Sequence, residues 1–393
     1  MARPPAFWLV LVACANLMRA AHGFAPSTSA LPRHRLGRSL GARRHGKIGR
    51  LCPVNLGLDA MATTAQLGSA QQRNVIIVGG GVGGIALAGR LSRARPSWTV
   101  VVLEKNARVG GRLDELACDG FRFDTGPSLL LAKDVYEDTF RALGSNLSEH
   151  VQLRRIEPAY RCFLGDNSNI SLTADLHVMQ QQLEALEEGS FAQYLAYMRE
   201  AGINYNKGFA SRPFQSKDNS LLDYANLDNL LLLKDFDASN LLMTHQQRLA
   251  RFFKDPRLHQ LFSFQDLYIG LAPHTAPAIF SLLQHLEIVE GVWYPVGGFA
   301  RITEALKSIV QQAGVTVREN AAVTNILVDA STKQVTGVQL ASGELVEGEI
   351  VVSNVDLPTT YAQLLPSDPA PPFLKGKAED LAKLQVFVRL QPV

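Results

Sequence analysis

The sequence predicts an α/β fold in which a parallel-stranded nucleotide-binding domain is interrupted by an inserted helical and sheet block. Three observations carry that expectation. Asn74-Val-Ile-Ile-Val78 is short and nearly all apolar, as suits a parallel strand buried on both faces. It runs into Gly79-Gly-Gly-Val-Gly-Gly84, where Gly79, Gly81 and Gly84 fill the three glycine places of G-x-G-x-x-G. Glu104 then follows twenty positions after Gly84, at the end of a second apolar run from Trp98 to Leu103.

Each element has a physical reason. The glycines permit a tight turn, let backbone approach a pyrophosphate, and let the next helix pack on the strand. That helix is expected to begin near Gly83, to line up Ile85, Ala88 and Leu91 on one face, and to stop before Pro96. Its positive N-terminal end would point at the phosphates. Glu104 is placed to accept hydrogen bonds from ribose hydroxyls. A lone G-x-G-x-x-G is weak evidence, but here strand, helix, strand and acid stand at the right offsets together.

The next residues separate a nicotinamide dinucleotide from a flavin one. After Glu104 the chain reads Lys105-Asn-Ala-Arg-Val-Gly-Gly-Arg112, then Gly120-Phe-Arg-Phe-Asp-Thr-Gly-Pro-Ser128. Gly110 and Gly111 allow another close backbone approach, and the Arg112 guanidinium suits a second phosphate contact. At this point the chain resembles the flavoprotein superfamily of amine oxidases and carotenoid desaturases, where G-G-R follows the ribose acid and F-D-x-G-P lies beside the flavin. Leu258 to Ile279, Glu290-Gly-Val-Trp-Tyr-Pro-Val-Gly-Gly298 and Ile350-Val-Val-Ser-Asn-Val-Asp-Leu-Pro358 are similar to bacterial-type phytoene desaturases. The resemblance covers roughly residues 74 to 393.

That resemblance implies an FAD-dependent oxidoreductase acting on carotenoid polyenes. It implies a Rossmann-like FAD-binding domain at 74–130 and 291–360 and a substrate domain at 131–290 and 361–393. FAD would be held by Gly79, Gly81, Gly83, Gly84, Glu104 and Lys105. Gly111 and Arg112 would meet the second phosphate. Gly126, Pro127, Ser128 and the Tyr294–Gly298 segment would border the isoalloxazine, and the main chain of Val323 would meet the adenine. The alternatives are a carotenoid isomerase or retinol saturase-like enzyme, a flavin amine oxidase, and a non-catalytic prenyl-binding escort protein. Carotenoid isomerases usually carry Ser at the place of Arg112 and lack the Gly126-Pro127 pair, and escort proteins lose the phosphate cradle.

Charge is unevenly spread along the 393 residues, whose formal net is +3. Residues 1–73 hold ten Lys or Arg and one acid, Asp59, a net of +9, which leaves 29 basic and 35 acidic residues beyond, a net of −6. The basic character therefore belongs to the leader, and a nucleic-acid partner is not indicated. Met1–Arg3, an apolar stretch from Phe7 to Met18, and Ala21-His-Gly23 read as a signal peptide over 1–23. The stretch is too short to span a bilayer, which needs about 20 apolar residues. Residues 24–73 begin at Phe24 and carry seven Lys or Arg between Arg33 and Arg50 with no acid, which is transit-peptide chemistry followed by a disordered join. This pairing resembles the bipartite presequences of algae with secondarily acquired plastids, so the expected place is a plastid membrane, with the secretory pathway as the alternative.

Further along, Phe299 to Ala313 is an amphipathic helix with Phe299, Ile302, Leu306, Ile309, Val310 and Ala313 on one face, stopped by Gly314. Strands are expected at Val323–Val328, Val335–Leu340 and Glu349–Ser353, returning the chain to the nucleotide domain. Leu230-Leu-Leu-Leu233 is a candidate interfacial segment through which a bilayer-dissolved polyene substrate would be reached. Family members continue past this point, so a chain ending on the strand-like Leu384–Leu390 is expected to be truncated, with an unfinished substrate domain. Cys118 and Cys162 read as ordinary thiols, and the histidines at 177, 245, 259, 274 and 285 show no metal-ligand spacing. No side chain stands out as a catalytic acid or base.

Overall fold

The computed structural model describes residues 72–206, 237, 239–329, 331–332 and 334–365. The expectations for the leader before residue 72, for Leu230–Leu233 and for Leu384–Leu390 lie outside the described residues.

Strand β1 (Asn74–Val78) is flanked on both sides by parallel partners, β2 (Thr99–Leu103) and β13 (Ile350–Ser353), and β9 (Thr316–Arg318) lies beyond β2. The apolar run of β1 is explained by what covers it. Val75 and Ile77 pack on α1 (Val82–Ala94) and α8 (Ala300–Gln312) through Ile85, Ala88, Ile302, Leu306 and Val310. Ile76 and Val78 face the opposite way, onto Ile326, Val338 and Leu340 of the antiparallel meander β10 (Val323–Val328), β11 (Val335–Leu340) and β12 (Leu345–Glu347). The parallel sheet is thus the middle of three layers. Burying each of these side chains contributes about 1.5–3 kcal/mol.

The predicted helix at 299–313 forms as α8, and every expected face residue is buried except Ala313 at its C-cap. Val323–Val328 and Val335–Leu340 form with the expected bounds. The third strand starts one residue late, at Ile350, because Glu349 spends both groups on Asn74, its N–H on the carbonyl and its carboxylate on the amide. Strand β9 was not anticipated: three residues carry no readable period, and pairing with β2 holds them extended.

The hairpin β3 (Glu115–Cys118) and β4 (Phe121–Asp124) leads out of the nucleotide segment. Beyond it, α2 (Lys133–Ala142) and α3 (Leu147–His150) send Phe140, Leu143 and Leu147 into the same core as β1 and β2. The middle block, expected as helix and sheet, holds short strands whose places the sequence did not mark. They are β5 (Leu153–Arg155), paired with β8 (Trp293–Pro295), and β6 (Tyr160–Phe163), paired with β7 (Asn169–Leu172). Its helices are set by caps. Asp175 accepts from the first amides of α4 (Leu176–Leu186), Thr244 and Gln247 form a capping box on α6 (His245–Phe252), and Asp255 caps α7 (Pro256–Leu261) ahead of an N1 proline. With α5 (Ser190–Asn204) they enclose an aromatic core of Tyr194, Tyr197, Phe253 and Phe262. Among the described residues no helix is long and apolar enough to cross a membrane.

Candidate functional site

The glycine turn sits at the C-terminal end of β1, where β1, β2 and β13 all stop. Gly79 has φ +97°, a conformation that L side chains rarely adopt, and its N–H donates to Leu103 O at 2.8 Å. A Cβ on Gly84 would stand 2.2 Å from Gly79 O, so the third glycine is what lets α1 start this close to the strand. Glu104 is buried; its Oε2 accepts from Gly80 N at 2.8 Å and its Oε1 from Asn106 N at 2.9 Å. Each carboxylate oxygen accepts more than one hydrogen bond, so the ribose role read from sequence remains open to it. Lys105 is exposed beside it.

The second glycine pair packs backbone to backbone on the first. Gly110 N donates to Gly80 O at 3.0 Å, and a Cβ on Gly111 would lie 3.2 Å from Gly81 Cα. The Arg112 side chain is exposed, and its carbonyl abuts Gly126 so closely that a Cβ there would be 1.7 Å away. Gly126, Pro127 and Ser128 are exposed beyond that contact. These residues are therefore one surface, built from three stretches that need glycine for approach and not only for turning.

Asp124, the acid of F-D-x-G-P, joins this surface to Y-P-x-G-G. The Tyr294 hydroxyl donates to Asp124 Oδ2 at 2.6 Å and Phe299 N donates to Oδ1 at 2.9 Å. Gly297 and Gly298 both have positive φ, and a Cβ on Gly298 would press on Asp124 Oδ1 at 2.9 Å. Hydrogen bonding to Asp124 raises the Tyr294 phenol above its ordinary value, which keeps it a donor. Val323 opens β10 just after Asn320 N and Ala321 N donate to the carbonyls of Asn106 and Glu104, which sets its strand beside Glu104.

Sequence reasoning assigned no role to Asn354, although Ser353-Asn-Val-Asp356 was part of the family signature. Its side chain lies on the glycine turn, with Nδ2 3.4 Å from Gly79 O. In the middle block, Tyr197 Oη lies 2.9 Å from His245 Nε2 and His245 Nδ1 2.9 Å from Asp266 Oδ2, all three buried. Glu287 is buried on a π-helical turn, His285–Glu290, that leads into β8. Burial pushes its carboxyl up to about 7, with Gln265 Nε2 donating at 3.1 Å. No group of His, Cys, Asp and Glu among the described residues is gathered to hold a metal.

A model of flavin-containing amine oxidoreductases matches residues 82–387. The chain belongs to the flavin-containing amine oxidoreductase family. It is 37% identical over 318 residues to a zeta-carotene-forming phytoene desaturase of Myxococcus xanthus, which covers 79% of this chain and 58% of that protein. It is 36% identical over 325 residues to a phytoene desaturase of Cercospora nicotianae, covering 81% of this chain and 51% of that protein. The chain thus spans a little over half the length of these relatives. Among solved structures it is similar in fold to an oxidoreductase from Methanosarcina mazei, with a TM-score of 0.51 and 18% identity over 79% of this chain and 65% of that one.

For this family member the dinucleotide is FAD, and the residues present fit it. A Cβ at Gly84 or Gly126 would collide with the carbonyl of Gly79 or of Arg112, so glycine backbone would line the place of the cofactor there. Glu104 supplies the acid at the end of β2. The amides of the first turn of α1 lack intrahelical partners and suit a diphosphate.

Proposed function

We propose that this protein is an FAD-dependent oxidoreductase acting on a carotenoid polyene, by phytoene desaturation or a related step, at a plastid membrane. The observation that carries the reading is the extent of the likeness to named phytoene desaturases. At 318 residues it runs far beyond the glycine surface and takes in most of the middle block. FAD, when bound, supplies the hydride acceptor that no ordinary side chain can be. The protein's own groups bind, orient and exclude water. Glu104 and the glycine stretches hold the dinucleotide, and Asp124 ties the segment at Tyr294 to the loop at Gly126.

Membrane contact is supported by the hairpin beside the site. Cross-strand pairing of Leu116 with Phe123 and of Cys118 with Phe121 puts these side chains on one face, where Leu116, Phe121 and Phe123 are exposed. Such a face suits peripheral contact with a bilayer that dissolves the substrate. The leader chemistry supports plastid import, which a fluorescent fusion of residues 1–73 would test by its destination.

The direct test is to load the purified protein with FAD and supply phytoene in liposomes, following visible absorption as conjugation lengthens. Growth of a longer-wavelength polyene spectrum is expected. Unchanged phytoene together with oxidation of a primary amine by the same preparation would replace this reading with that of a flavin amine oxidase.

A further inference from the structure

The peptide unit between Gly79 and Gly80 is held from both sides. Its N–H donates to Glu104 Oε2 at 2.8 Å, and its carbonyl accepts from Asn354 Nδ2 at 3.4 Å. Neither flanking residue has a Cβ, so this peptide plane has little steric resistance to turning over, and side chains must fix it. Gly79 sits at φ +97°, and the whole turn depends on that setting.

Asn354 reaches the turn because the parallel ladder continues one residue past β13. Its N–H donates to Val78 O at 2.8 Å, which places its side chain over the glycines. The carboxamide then occupies the space that side chains would need. A Cβ would come within 3.3 Å of Nδ2 at Gly81, 3.0 Å of Oδ1 at Gly83 and 3.1 Å of Nδ2 at Gly84. One residue, 275 positions away from Gly79 in sequence, therefore touches the turn along its full length.

We propose that Asn354 is a positioning residue for the dinucleotide. With Glu104 on the other side, it holds the Gly79–Gly80 peptide in the orientation that leaves the first amides of α1 available to the diphosphate. An amide is suited to this place and an acid is not. A carboxylate would set an acceptor against the Gly79 carbonyl and a negative charge beside the phosphate turn. The inference rests on the FAD reading of the glycine surface.

The test measures FAD affinity by flavin fluorescence for the wild-type chain, Asn354→Ala, Asn354→Asp, Glu104→Ala and the Glu104→Ala/Asn354→Ala double variant. Thermal melting with and without saturating FAD is measured alongside. Asn354→Ala is expected to bind FAD about tenfold more weakly, the scale of one lost hydrogen bond in the cradle. Asn354→Asp should bind more weakly still, and the rise in melting temperature produced by FAD should shrink in both. Because both side chains grip one peptide unit, the double variant should lose less than the product of the two single losses. Wild-type affinity in Asn354→Ala, or losses that simply multiply, would overturn the proposal. A lowered melting temperature of the FAD-free protein with an unchanged FAD-induced rise would also overturn it, by making Asn354 a packing residue only. If the wild-type chain itself takes up no FAD, the cofactor reading fails first and the inference falls with it.

Discussion

The phenol of Tyr294 donates to Asp124 Oδ2 at 2.6 Å across 170 residues of sequence, and that bond joins the loop at Gly126 to the segment at Gly298. Asp124 also takes Phe299 N at the start of α8. Tyr294→Phe removes one charge-assisted hydrogen bond, a loss of about 1.5 kcal/mol. Asp124→Ala leaves the Phe299 amide and the Tyr294 hydroxyl both without their partner, and is expected to cost about twice that and to lower flavin content. Denaturant midpoints and the flavin-to-protein absorbance ratio check both, and an Asp124→Ala protein as stable and as yellow as Tyr294→Phe would contradict the joint.

Substitution of the glycines should divide by what a Cβ would meet. Gly84→Ala would push a methyl to 2.2 Å from Gly79 O, whereas Gly165→Ala meets nothing within 4 Å and needs no left-handed backbone. The first should destabilise by about 1–3 kcal/mol through overpacking and lose flavin, the second should do neither. Flavin content after identical purification is the measurement. Equal content in the two variants would mean the turn relaxes without harm.

The nucleotide-binding half was legible because its signals are local. Four apolar residues, a glycine turn and an acid lie within one stretch of chain, and α8 and the meander strands carry clear periods. What escaped was non-local or too short. Strand β9 has three residues and is extended only because β2 pairs with it. The strands β5, β6 and β7 have three or four residues each, too few to show where in the expected helical and sheet block they lie. Asp124 and Asn354 were inside quoted motifs, yet their roles depend on partners 170 and 275 residues away. No pattern along the chain shows that a carboxylate will meet a phenol from β8.

The buried chain of Tyr197, His245 and Asp266 ties α5 and α6 to the turn after α7. Replacing one end leaves a polar group with no water to take its place. Asp266→Ala is expected to destabilise by about 1–3 kcal/mol, the range for leaving a buried polar group without its hydrogen-bond partner, with the loss confined to folding. Tyr197→Phe keeps the aromatic packing and removes only the hydroxyl, so about 1 kcal/mol is expected. Urea midpoints order the two, and a smaller effect for Asp266→Ala than for Tyr197→Phe would show that His245 is satisfied in some other way.

Glu287 makes stability depend on pH with a sign opposite to that of a salt-bridged acid. Its carboxyl is raised by burial from an ordinary 4.5 up to about 7. Between those values the folded chain keeps a proton that the unfolded chain has released, so unfolding sheds a proton and stability falls as pH rises through the window. Below about 4.5 the penalty is absent, and above about 7 it is complete, on the order of 3 kcal/mol at about 1.4 kcal/mol per pH unit. Glu287→Gln keeps an acceptor for Gln265 Nε2 but carries no titrating proton. Its stability should therefore fall less between pH 5 and pH 8 than that of the wild type, and at pH 8 it should be the more stable protein. Urea midpoints of both proteins at the two pH values isolate the effect, because every other titrating group is common to them. Parallel changes in the two proteins would show that Glu287 is ionised at its place beside Gln265 and that the burial of the π-helical turn admits water.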